Sequence, residues 1–145
     1  MLPQSDWAAL IPHAGSMCLL DAVLHWDAEG IHATSASHAR ADNPLRGALG
    51  LHAVCLAEYG AQAMAVHGAL LARARGECQV RAGMLVSVRD LVLRVEYVDT
   101  LAGHLDVHAS CLHADPGGAQ YRFRVVHGGR VLASGRATVM YPDPA

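Results

Sequence analysis

Lysine is absent from this chain, and all of its fixed positive charge is carried by arginine. No basic run occurs and the formal net charge is −2. Nucleic-acid-binding proteins concentrate basic residues in a patch, so that class is disfavoured. Aromatic residues make up only 5% of the chain, with a single Phe, so a core must be built from Ala, Val and Leu. Charged residues are also few at 17%, against 52% hydrophobic, a balance that excludes disorder. The four cysteines, at positions 18, 55, 78 and 111, form no close pair. That spacing offers no zinc site and no disulfide framework, and it reads as small buried hydrophobes of a cytoplasmic protein. The opening Met1-Leu2-Pro3-Gln4-Ser5-Asp6 has neither the basic start nor the apolar stretch of a secretory signal.

What is present fits one domain. The 145 residues contain no repeat, low-complexity segment or linker, so residues 1–145 are expected to fold as a unit. Ser5 can cap a short helix through Trp7–Ile11, which Pro12 stops. Cys18–Trp26 and Ile31–His38 flank the turn Asp27-Ala28-Glu29-Gly30 and read as a hairpin. Residues 39–50 hold Asn43-Pro44, Gly47 and Gly50 and read as a loop. After residue 76 the pattern is β-like: Val80–Val88, Leu91–Val98, His104–His113, Ala119–His127 and Arg130–Tyr141. Asp115-Pro116-Gly117-Gly118 and His127-Gly128-Gly129-Arg130 are strong hairpin signals, so the last three strands should form a meander.

Between hairpin and meander lies the most informative element, a helix expected from Leu51 to Ala74, roughly 35 Å long. Its span reaches membrane-crossing length, but Glu58, His52, Gln62 and His67 interrupt it and Ala outnumbers Leu. It reads as a helix surrounded by protein, with no wet face, ended by Arg73, Arg75 and Gly76. One long helix is then the only element able to cover the apolar face of a large antiparallel sheet, an α+β arrangement.

Glu58 is the only charged side chain between Arg46 and Arg73. A carboxylate in an apolar helix is expensive, its pKa tends to rise, and it is suited to proton transfer; the competing reading is a Glu paired with a buried partner. Gln62 is one turn on, on the same face, and either orients that carboxylate or satisfies nearby backbone. Of the ten histidines, His25, His32, His104, His108, His113 and His127 read as strand-surface or turn residues and His67 as packing. His104 and His108 stand too far apart to share a metal. His13, His38 and His52 remain for chemistry. No Gly-x-Ser-x-Gly and no phosphate-binding Gly loop occurs.

Two segments resemble a known family. Ile11-Pro12-His13-Ala14-Gly15-Ser16-Met17-Cys18-Leu19-Leu20-Asp21 looks like the Leu-Pro-His-Arg-x-Pro-x-Leu-Leu-x-Asp opening of the β-hydroxyacyl-(acyl carrier protein) dehydratases. Leu56-Ala57-Glu58-Tyr59-Gly60-Ala61-Gln62-Ala63 is similar to their central-helix motif, Leu-x-Glu-x-Met-Ala-Gln-Ala. The branch it resembles most holds the small dehydratases of aryl-polyene and xanthomonadin-type pigment synthesis. The resemblance implies a hot-dog fold, a curled antiparallel sheet wrapped around the helix, in dimers or higher oligomers with active sites at the interface. It implies conversion of β-hydroxyacyl thioesters to trans-2-enoyl thioesters, with no metal and no cofactor beyond the phosphopantetheine of an acyl carrier protein. Glu58 inherits the role of catalytic acid. Backbone N–H groups at Gly50, Leu51 and Ala53 would polarise the thioester carbonyl, with Tyr59 beside them against the substrate. Arg46, Arg73 and Arg75 would meet the acidic carrier.

The sequence departs from the family in two places. Where the best-known branch has a Gly-His-Phe-Pro-Gly loop with the catalytic His, this chain has Asn43–Gly50 and no His. His13 is the first candidate for the missing base and His52 the second; alternatively the chain is a non-catalytic subunit of a heteromer with a second hot-dog chain. Gly60 replaces the usual Met, which would widen a pocket beside Glu58. A hot-dog thioesterase, with water in place of the β-hydroxyl, is the other enzymatic reading.

Overall fold

The structure, a computed structural model, describes residues 1–77 and 83–141. Cys78 and the start of the strand expected from Val80 lie outside the described residues. Among the described residues, seven strands form one antiparallel sheet: β1 (Leu2–Pro3), β2 (Ala22–Trp26), β3 (Gly30–Ser35), β4 (Met84–Leu93), β5 (Leu105–Asp115), β6 (Gly118–His127) and β7 (Arg130–Met140). Their order is β1-β2-β3-β5-β6-β7-β4, and the sheet packs around one helix, α1 (Leu56–Ala74). This is the hot-dog arrangement.

Period-2 alternation builds the core. Ala119, Tyr121, Phe123 and Val125 of β6 point inward with Leu105, Val107 and Ala109 of β5, while Arg122 and Arg124 point outward. Two-residue turns at Pro116-Gly117 and Gly128-Gly129 join β5, β6 and β7 as the expected meander, and both latter glycines take positive φ. The 19-residue α1, about 28 Å long, packs against β3, β5, β6 and β7. Its end is a complete Schellman motif: Gly76 has φ +77°, the Glu77 N–H reaches the Ala72 carbonyl at 3.1 Å, and the Gly76 N–H reaches Arg73 at 3.0 Å.

Several expected elements take another form. Instead of a capped helix at Trp7–Ile11 there are two single 3₁₀ turns, Gln4–Asp6 and Ala8–Leu10, without a side-chain cap. The second strand of the hairpin stops at Ser35, and Ser37–Ala39 is a 3₁₀ turn. The apparent break at Arg89-Asp90 is a bulge inside β4: Asp90 takes φ +53° and the ladder with β7 resumes at Val92. Residues 95–98 leave the sheet and run beside the approach to α1, where the Ala53 N–H donates to Glu96 (2.8 Å) and Val98 donates to Leu51 (2.9 Å). That pairing keeps the chain extended through His52, so a 3₁₀ turn begins at Ala53 and the α-helix only at Leu56.

The helix is not covered all round. Glu58, Ala61, Ala65, Gly68 and Leu71 form a half-exposed stripe at helical spacing, while Tyr59, Gln62, Ala63, Val66, His67 and Leu70 are buried. The small side chains that read as packing surface line an open groove instead.

Candidate active site

His13 and Glu58 meet at one end of that groove. His13 follows the second 3₁₀ turn and Pro12, and its Nε2 stands 3.5 Å from Glu58 Oε1. The side chains are 26% and 34% exposed, so Glu58 is reachable from solvent rather than sealed in the core. Both border an elongated cavity of about 830 Å³ that continues past Ala61, Ala65 and Gly68 to Tyr121 and Tyr141. An apolar trough with an acid–base pair at one end suits a long acyl chain with its reactive carbons at the pair.

The segment bearing His13 is fastened to α1 by Gln62. The buried amide accepts the Leu19 N–H at Oε1 (2.9 Å) and donates from Nε2 to the Met17 carbonyl (2.6 Å). Of its two expected roles, Gln62 thus performs the second: it satisfies backbone, and both ends are occupied without the Glu58 carboxylate. The Leu19 carbonyl accepts from Ser35 and Ser37, which ties the same segment to the end of β3.

The remaining expected site residues lie elsewhere. The Leu51 N–H donates to Asp99 Oδ1 (2.9 Å), Gly50 to the Gly47 carbonyl (3.2 Å) and Ala53 to Glu96 (2.8 Å). These amides are spent on the chain itself, so they do not form the expected carbonyl-binding cradle. Gly50, at φ +117°, is required because the Asp99 carboxylate fills the place of a Cβ. His52 caps the 3₁₀ turn by accepting the Val54 N–H at Nδ1 (3.0 Å) and sets its ring edge against Tyr97, outside the groove lining. Tyr59 is fully buried, its hydroxyl within hydrogen-bonding distance of Ser37 (2.8 Å) and Asn43 (3.0 Å), and contributes to the core instead of a substrate surface. His38 is buried against the Leu101 carbonyl. Gly60 opens no pocket: a Cβ there would stand 2.6 Å from the Phe123 ring, which occupies the space. Arg46 pairs with Asp99, Arg75 with Glu77, and Arg73 donates to the Asp6 carbonyl.

One anchor beneath the groove escaped the sequence. His67 is fully buried: its Nε2 lies 2.7 Å from the Asp27 carbonyl and its Nδ1 2.6 Å from the Tyr121 hydroxyl, which pins the β2–β3 turn to the helix. Burial raises the Tyr121 phenol far above its ordinary range, so it acts there as a neutral group. Burial pushes the Cys55 thiol up, against an opposing backbone hydrogen bond, so its surroundings do not favour the thiolate.

With this geometry in view, a family model described as ApeP dehydratase matches residues 5–145. The chain belongs to the ApeP-like dehydratase family. Among solved structures, this ApeP-like dehydratase is similar to the dehydratase heterocomplex ApeI:P from Xenorhabdus doucetiae, with a TM-score of 0.84 and 24% identity over 99% of this chain and 93% of that chain. It also shares its fold with a hypothetical thioesterase from Streptococcus pneumoniae solved with coenzyme A (TM-score 0.62, 11% identity, 96% of each chain). A thioesterase enzyme from Staphylococcus aureus is similar at TM-score 0.61 and 14% identity, over 83% of this chain and 93% of that one. No curated protein sequence matches the chain. Family and fold together identify a hot-dog dehydratase. Among the described residues, no helix is long and apolar enough to cross a membrane.

Proposed function

We propose that this chain dehydrates β-hydroxyacyl thioesters carried on the phosphopantetheine of an acyl carrier protein, with His13 as base and Glu58 as acid. The observation that carries the residue assignment is the 3.5 Å approach of His13 to Glu58 at the end of an apolar groove. Neutral His13 Nε2 takes the α-proton, protonated Glu58 gives its proton to the departing β-hydroxyl, and the carbon–oxygen bond breaks to leave a trans-2-enoyl thioester and water. The pair holds one proton before the step and one after it. Transfer from His13 back to Glu58 restores the starting state, and their closeness makes that transfer short. His13 thereby supplies the imidazole missing from the Asn43–Gly50 loop. No resident cofactor enters this scheme, and the reaction is placed in the cytoplasm.

A second hot-dog chain is part of the proposal. Among the described residues β4 pairs with β7 alone, which leaves its other edge open, and it exposes Met84, Leu85, Val86, Leu91 and Val92. A long apolar edge of this kind needs covering. Leu85 and Gly83 also line the groove, so a chain joined at this edge would close the groove wall. That chain is a second copy or a distinct hot-dog subunit, and the solved ApeI:P heterocomplex supports the latter option.

The test is incubation of purified protein, alone and with a candidate hot-dog partner, with β-hydroxyacyl and saturated acyl carriers. Enoyl formation abolished by His13→Gln supports this assignment. Free acid from the saturated carrier supports thioester hydrolysis. Dehydration that needs the partner and survives loss of His13 and Glu58 identifies a non-catalytic subunit.

A further inference from the structure

Most of the histidines and arginines are not used at Glu58, and many of them share the outer face of the sheet. Strand register places His25 opposite His32, His32 opposite His108, and His108 opposite Arg124, in one row across β2, β3, β5 and β6. The next row sets Ser110 opposite Arg122, Arg122 opposite Arg136, and Arg136 opposite Arg89. Cationic groups directly opposite one another weaken a sheet. Here the arginine row opposes fixed cations with only partial compensation, and the first row adds Arg124 beside its histidines. Asp90 pairs with Arg136 at 2.8 Å and Asp106 with His32 at 2.8 Å. Among the described residues, Arg94, Arg122, Arg124 and Arg130 take part in no ion pair.

This face is also concave. A cavity of about 1060 Å³ is lined by His32, His108, Ser110, Arg122, Arg124 and Ser134, together with Arg94, Arg130 and the acidic Asp27. The His32 and His108 rings stack at 4.2 Å and 21°. Arg122 and Arg124 rise from one face of one strand, about 7 Å apart, on either side of the position a phosphate would take. Guanidinium forks with neighbouring hydroxyls are the chemistry of phosphate recognition. Among the described residues, no three His, Cys, Asp or Glu side chains converge to hold a metal ion. The cavity is on the sheet face opposite the Glu58 groove, since Tyr121 lines that groove while Arg122 and Arg124 point away from it.

We infer that this outer-face cavity binds a small phosphate-bearing anion, with Arg122 and Arg124 clasping the phosphate over the stacked His32–His108 pair. The site is independent of the chemistry at Glu58. An anion there would offset the clustered arginine charge, and a ligand that binds the folded chain should also raise thermal stability.

Calorimetric titration of the purified full chain with inorganic pyrophosphate, and separately with ADP, tests this. Saturable binding is expected, weakened roughly tenfold or more in the Arg122→Gln/Arg124→Gln double variant. The Arg122→Lys/Arg124→Lys pair keeps the charge and loses the fork, and it should bind between the two. ADP binding tighter than pyrophosphate would place the nucleoside in the cavity as well; equal binding would confine recognition to the phosphates. Both side chains are exposed, so each unliganded variant should fold as the parent does, and the double Gln variant, which removes clustered like charge, should melt no lower than the parent. The inference is overturned if neither probe saturates, if the double Gln variant binds as tightly as the parent, or if a short oligonucleotide binds much more tightly than either probe.

Discussion

Gln62 Oε1 accepts the Leu19 amide at 2.9 Å, one helical turn from Glu58, so a single helix face carries the acid and clamps the segment that carries His13. Replacing Gln62 by Met keeps the volume and leaves the Leu19 N–H and Met17 carbonyl unpaired in the interior, at about 1–3 kcal/mol for each orphaned group. The expected outcome is a protein that still folds, with a lowered melting temperature and kcat reduced at least roughly tenfold, as suits a misplaced base. Steady-state kinetics beside a thermal melt check this. Unchanged kcat in folded Gln62→Met would remove the positioning role.

Phe123 is held between Gly60 of α1 and Gly135 of β7, each of which would crowd its ring if it carried a Cβ. Gly60→Ala should cost about 1–3 kcal/mol despite the better helix propensity of Ala. Adding Phe123→Leu, which withdraws the ring, should make the pair less destabilised than the sum of the single changes. Urea unfolding of the four proteins measures that coupling.

Burial holds the His67 imidazole below its ordinary range. The folded chain therefore resists protonation that the unfolded chain accepts near pH 6.5. The stabilisation is complete above that value and is lost as pH falls below it towards the folded value. His108, depressed by burial first and then by His32 and Arg124, acts in the same direction. The lowered carboxyls of Asp27, Asp99 and Asp115 lose their contributions only below about 3.8, outside this window. Denaturation midpoints measured downward from neutral pH should fall, and His67→Gln, which can accept from Tyr121 and donate to Asp27, should flatten the slope without abolishing it.

Local signals in the chain reached the helix, its Gly76 stop, the hairpin turns and the His13–Glu58 pairing through two family-like motifs. They did not reach features created by distant segments. Residues 51–55 read as helix because their apolar content suits one, yet pairing with residues 96–98 keeps the chain extended through His52 and delays the helix to Leu56. Gly60 beside Glu58 suggested space, but Phe123, distant in sequence, fills it. Gln62 sits correctly for the carboxylate, and only the folded Met17–Leu19 segment shows which groups it serves. The outer-face arginines look scattered along the chain; strand register brings them into adjacent rows.

The central claim is that His13 and Glu58 of one chain carry out the elimination. Its most direct test is the rate of enoyl formation from a β-hydroxyacyl carrier by His13→Gln and Glu58→Gln, each shown by circular dichroism to be folded and each assembled with whatever hot-dog partner the parent requires. Both rates are expected to fall by about 10²–10⁴-fold. Full activity in folded Glu58→Gln would contradict the account.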